Sequence, residues 1–208
     1  MKHIEEPERP KAILYDNAGI SLADFREELE QIVSTSFEFR VGRELGGAGT
    51  LVPTLELILA FAAGASLTII NSALSELGKD IYHTLKGKLF KKPFDNDSSM
   101  VFIITIVTPE MVATGRIRTD NHNDVIEGMK NVKEMVDSAS KINVSEAGQL
   151  STETIRDRDK LITDRCNVVF HYEYDASEAK WVLKKIARIE KVILNGSETH
   201  FLRLPTSL

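Results

Sequence analysis

The hydrophobic positions of this chain change their period several times, and each change predicts an element. Ala12 to Tyr15 is a short apolar run with the character of a strand. From Ser21, which can cap a first turn with Asp24 three residues on, Leu22, Phe25, Leu29, Ile32 and Val33 form one apolar stripe. Arg26, Glu27, Glu28 and Glu30 occupy the other face, so a helix is predicted. Phe37, Phe39 and Val41 then alternate with Glu38, Arg40 and Gly42, the period of a half-buried strand.

The central pattern is different in kind. Nineteen consecutive residues, Leu57 to Ser75, carry no charge and lie between Glu56 and Glu76. Pro53 can open a helix, and the spacing predicts one helical region over 54–90, apolar all round at first and amphipathic afterwards. Leu74, Leu77, Ile81, Leu85 and Leu89 mark the amphipathic half, which Gly78 or Gly87 is expected to interrupt. A helix over 57–75 rises about 28 Å, just short of a hydrocarbon core near 30 Å. Ser66, Thr68, Asn71, Ser72 and Ser75 are polar, however, and Ala60, Ala63, Gly64 and Ala65 add little hydrophobicity. A buried or self-packing helix is therefore the preferred reading, with Leu57, Phe61, Gly64, Leu67, Ile70 and Leu74 as its interaction residues. Membrane insertion by 57–75 is the alternative.

The remainder reads as α+β. Val101 to Val107 is β-branched and strand-like, a turn forms around Pro109, and Val112 to Arg118 returns as its partner. Asp120 or Asn121 can cap a helix in which Val125, Met129, Val132 and Val136 repeat at helical spacing. Ser138 to Gln149 reads as loop, and Thr152 to Arg165 as a solvated helix face. Val168 to Tyr174 is a strand. Residues 177–194 support two incompatible elements: Val182, Ile186, Ile189 and Ile193 share one helical face, while Asn195-Gly196 is a strong hairpin signal.

The predicted fold class is thus α+β: a mostly helical central segment between an N-terminal strand-helix-strand part and a C-terminal part of antiparallel sheet plus helix. The expected divisions are 1–45, 50–92 and 100–208, with Lys91 to Ser99 as the polar linker.

Composition changes this picture little. Of 208 residues, 42% are hydrophobic and 27% charged, enough for a core and against wholesale disorder. A net charge of −5 argues against a nucleic-acid partner, although Lys79, Lys86, Lys88, Lys91 and Lys92 against Glu76 and Asp80 give one stretch 5 − 2 = +3. That basic surface would suit a helix C-terminus or an anionic lipid surface. One cysteine, Cys166, and a charged, proline-containing N-terminus lead us to expect a cytoplasmic protein, with membrane association as the variant.

No motif fixes a chemistry. His171, Glu173 and Asp175 share one face of a predicted strand, where an imidazole and two carboxylates could hold a metal or divide acid and base roles. Phe170, Tyr172 and Tyr174 lie on the opposite face, so the trio also fits the solvent side of a half-buried strand, and that reading is preferred. Asp120 to Asp124 lacks calcium-loop spacing and reads as a turn into a capped helix. Gly46-Gly47-Ala48-Gly49 lacks the phosphate-loop ending and reads as a flexible joint. Cys166 next to Arg165 reads as a structural thiol. The expectation is a non-enzymatic binding or regulatory protein that meets a protein partner or a second copy of itself through the helix 54–90, with no cofactor and no metal. A membrane-inserting protein and a small metal-dependent enzyme are the alternatives.

Overall fold

The computed structural model describes residues 9–16, 23–41, 53–62, 65–89, 99–108, 111–142, 150–154, 168–194 and 197–205. In chain order these form β1 (Lys11–Asp16), α1 (Ala23–Ser36), β2 (Glu38–Val41), β3 (Thr54–Ala60), α2 (Leu67–Leu89), β4 (Met100–Val107) and β5 (Val112–Thr119). Then come α3 (His122–Lys130), α4 (Lys133–Ala139), β6 (Leu150–Thr154), β7 (Val168–Asp175), β8 (Lys180–Leu194) and β9 (Ser197–Pro205). The fold is α+β. Among the described residues nine strands form one mixed sheet in the order β2-β1-β3-β4-β5-β7-β8-β9-β6, so all three expected segments contribute to it. Pairs β1–β2, β3–β4 and β5–β7 are parallel and the other neighbours antiparallel. A parallel pair needs a crossover, and α1 and α2 supply the first two.

The continuous helix expected over 54–90 does not form. Its first part, including Leu57, is strand β3; Phe61 follows the strand and is buried; helix α2 begins only at Leu67. The cause is burial: β1 and β4 pair with the two edges of β3, and residues on both its faces are buried. Leu55, Leu57 and Leu59 point to one side and Ile58 and Ala60, at 5% and 4% exposure, to the other. A strand buried on both faces is an unbroken apolar run, which period alone does not separate from a buried helix. Ser66 then starts the helix, its side-chain oxygen accepting from the Ile69 N–H. Ile70 and Leu74 are buried on α2, while Gly64 lies outside the described residues. No helix among the described residues is long and apolar enough to cross a membrane.

Helix α2 runs through Gly78 without a break, and the glycine is there for contact. A Cβ at this position would stand 2.8 Å from the Lys130 carbonyl oxygen and 3.1 Å from its Cα, so α2 and α3 approach backbone to backbone. On an exposed helix, glycine to alanine stabilises by about 1 kcal/mol. At Gly78 the opposite sign is expected: Gly78→Ala should lower stability by about 1–3 kcal/mol in a urea titration, because backbone cannot yield as a side-chain tip does.

The described helices share one face of the sheet. Phe25 of α1 meets Phe102 of β4 edge to face, Ile117 of β5 lies against Gly128 of α3, and Gly115 of β5 lies against Met135 of α4. Helix α2 packs between α1 and α3. Leu14, Leu57, Ile104, Ile117 and Phe170 form the sheet's half of the core; Leu29, Leu74, Ile81, Val125, Met129, Val132 and Val136 form the helices' half. Asn71, counted as a polar liability of the apolar run, donates to Asp137 of α4 and so ties α2 to it.

The ambiguity at 177–194 is settled as strand β8, hairpinned to β7 and then to β9. A β-bulge confused the pattern. Tyr172 pairs with Leu183 but His171 pairs with Lys185, so Lys184 is an extra residue and the core-facing positions run Trp181, Leu183, Ile186. That step of three imitates a helix. The solvated helix expected over Thr152–Arg165 is contradicted at its start, where 150–154 are strand β6, and its remaining residues lie outside the described ones. The linker up to residue 98, the glycine cluster and Cys166 lie outside them as well.

Candidate functional site

Every strand that packs helices on one face turns alternate residues to the other. On β5 these are Thr114, Arg116 and Arg118; on β7, His171 and Glu173; on β8, Lys185 with the bulged Lys184 beside it. Strand pairing sets them side by side, since Thr114 pairs with His171, Arg116 with Glu173, and His171 with Lys185. The result is a cleft of about 300 Å³ lined by Ile103, Thr114, Arg116, His171, Tyr172, Glu173 and the two lysines. A second recess of about 250 Å³, lined by Arg116, Arg118, Glu173 and Tyr174, adjoins it.

The electrostatics of this face run against the chain's acidic total. Arg116 and Arg118 are exposed and, with Lys185, have no ion pair among the described residues. Among the described residues Glu173 meets only Lys184, at 3.9 Å, with both side chains more than half exposed, a contact of little energetic weight. Thr105 and Thr114 hydroxyls share a hydrogen bond of 3.3 Å beside the cleft floor.

His171 is the unusual group. Its Nε2 is shielded from solvent and has no hydrogen-bond partner among the described residues. Burial first, and the Lys185 charge second, push the imidazole down from 6.5 to about 4, so it is neutral at neutral pH. A histidine held neutral stabilises the fold fully above pH 6.5, and that contribution is lost as pH falls towards 4, because the unfolded chain binds the proton first. The difference between 6.5 and about 4 corresponds to about 3 kcal/mol at most. Urea titrations from pH 7 to pH 4 should therefore show stability falling in that window for the wild type and a flatter profile for His171→Gln.

Of the sequence-predicted trio, His171 and Glu173 do share the open face and the cleft. Asp175 does not join them. Its Oδ1 accepts from the Ser177 N–H at 3.0 Å, the Ser177 hydroxyl at 2.6 Å and the Glu178 N–H at 3.3 Å, shaping the hairpin turn. The Ser177 hydroxyl above all holds that carboxyl below its ordinary range. Among the described residues no group of three histidine, cysteine or carboxylate side chains is placed to hold a metal. His171 is also less exposed than the solvent side of a half-buried strand would make it.

The other nominated positions are scattered. Leu57, Phe61, Ile70 and Leu74 are core, and only Leu67, at 37%, is exposed, next to Ile69 at 60%. Lys79 is exposed on α2; of the side chains of Lys86, Lys88, Lys91 and Lys92 the described residues give nothing. Asp120 to Asp124 is the expected junction: the Asn121 side chain caps α3, and Asp124 accepts from Thr119. Arg116, Arg118, Lys184 and Lys185 were not singled out as site residues. Arg-Ile-Arg at 116–118 carried the alternation that would have placed the arginines, and the bulge concealed the lysines.

Fold and face together define a class: a mixed-sheet α+β protein with helices on one side and a cationic cleft on the other. Comparisons of the chain with protein-family models, with curated proteins and with solved structures found no match.

Proposed function

We propose that this is a non-enzymatic binding protein which engages an acidic segment of a protein partner on the sheet face opposite the described helices. The observation that carries this reading is the concentration of Arg116, Arg118, Lys184 and Lys185 around one cleft in a chain of net charge −5. Charge that is unpaired among the described residues, as on Arg116, Arg118 and Lys185, or only weakly paired, as on Lys184, is complementary in a concave place to an anionic ligand, and complementarity of that kind sets partner choice and association rate. An extended acidic segment would lie across β5, β7 and β8 with carboxylates against the arginines and lysines.

The test is fluorescence anisotropy with a library of labelled Asp- and Glu-rich peptides. Binding that weakens as salt is added is the expected result, because exposed charges are screened. No binding at low salt, or binding indifferent to salt, would overturn the reading.

Self-association is supported by one observation only, the exposure of Leu67 and Ile69 at the start of α2. Light scattering on the Ile69→Ser variant tests it: an oligomer that becomes monomeric would favour this second reading, and an unchanged mass would remove it.

A further inference from the structure

The donors around the cleft are more than a carboxylate can use. Arg116 offers a planar fork, Lys184 and Lys185 offer ammonium groups, Thr114 a hydroxyl and His171 an imidazole. With Glu173 the formal charge of these lining groups is 3 − 1 = +2 while His171 is neutral. A carboxylate brings one negative charge and two oxygens in a plane. A phosphate monoester brings between one and two negative charges and three terminal oxygens. The volume, about 300 Å³, is at the small end for ligand sites and fits a headgroup with its ester carbon.

Resting on the acidic-partner reading, we infer that the cleft recognises a phosphate monoester borne by that partner segment and that His171 binds a proton as the phosphate enters. The groups facing His171 are Arg116 and Thr114 on β5, Lys184 and Lys185 on β8, and Glu173 on its own strand; β4 contributes the uncharged Ile103. Burial first, and the Lys185 charge second, oppose a proton on the imidazole in the free protein and hold it at about 4. A dianion among those cations reverses the balance, since a nearby negative charge favours the protonated ring. The unpartnered Nε2 then gains an acceptor once the flexible lysine chains adjust, and leaving such an atom unsatisfied is costly. The phosphate is bound and released intact, with no bond to phosphorus broken.

The experiment is isothermal titration calorimetry with four probes: a phosphoserine peptide of acidic sequence, its unphosphorylated twin, its Ser→Glu twin, and free glycerol phosphate. Each titration is repeated in two buffers of different ionisation enthalpy, which reports proton uptake. The phosphopeptide should bind at least about tenfold more tightly than either twin and take up a fraction of a proton near neutral pH. His171→Gln should abolish the uptake, and Arg116→Lys, which keeps the charge but loses the fork, should weaken binding several-fold. Circular dichroism establishes that both variants fold. Equal binding of the phosphopeptide and its Glu twin would overturn the phosphate inference and leave the acidic-partner reading standing. Equal binding of glycerol phosphate would overturn the protein-borne source. Failure of every peptide would overturn both readings.

Discussion

Trp181→Ala should lower the unfolding free energy by about 4 kcal/mol, the largest effect expected of any single truncation in the hairpin half of the sheet. The chain's one tryptophan stands on the core face of β8, and its Nε1–H donates to the Gly128 carbonyl of α3 at 3.0 Å. The ring meets Tyr174 edge to face with centroids 5.2 Å apart. It also fills the space left open at Gly115, where an added Cβ would lie 2.6 Å from the indole. Truncation would open a cavity between β5, β8 and α3 and leave a carbonyl without its donor. Trp181→Phe keeps most of the ring and loses the bond, so about 1–2 kcal/mol is expected. Urea unfolding followed by circular dichroism checks both, because neither variant retains tryptophan fluorescence. Equal losses in the two variants would show that the hydrogen bond, not the buried ring, fastens β8 to α3.

The double charge reversal Arg116→Glu with Lys185→Glu should weaken binding of an acidic peptide on the order of a hundredfold, since like charges set against a ligand cost several kcal/mol. Both side chains are exposed, so thermal stability should stay close to that of the wild type, as is usual for such substitutions. Restoring a cation at either position should recover part of the affinity. Anisotropy titrations beside a thermal melt separate this outcome from unfolding, and loss of binding with loss of the folded baseline would void the electrostatic explanation. Glu173→Gln is the counterpart: it removes the one carboxylate that lines the cleft among the described residues, so affinity for the same peptide should rise a few-fold.

Much of the fold was legible where one period governed a whole element. The stripe Phe25, Leu29, Ile32, Val33 became the buried face of α1, and Val125, Met129, Val132 and Val136 became that of α3 and α4. The hairpin of β4 and β5 was announced by its β-branched run and its turn. Legibility failed where burial removed the alternation, as at Leu55 to Ala60, and where an inserted residue broke it, as at Lys184. In the first case the polar cues were present but were counted as weakness: Ser66 is a cap, and Asn71 joins α2 to α4. The site was half legible. His171 and Glu173 stood out because they alternate with aromatics, whereas Arg116, Arg118 and the two lysines gained meaning only when strand pairing set β5 beside the distant hairpin of β7 and β8. Asp175 continued the alternation and yet serves the turn, which period alone does not reveal.

The most direct test of the open face as the recognition surface is to map amide chemical shifts of isotope-labelled protein as an acidic peptide is added. Perturbations should concentrate at Thr114, Arg116, Arg118, His171, Glu173, Lys184 and Lys185, on three adjacent strands. Shifts gathered instead on α2, around Leu67, Ile69 and Lys79, with the cleft residues unmoved, would contradict it.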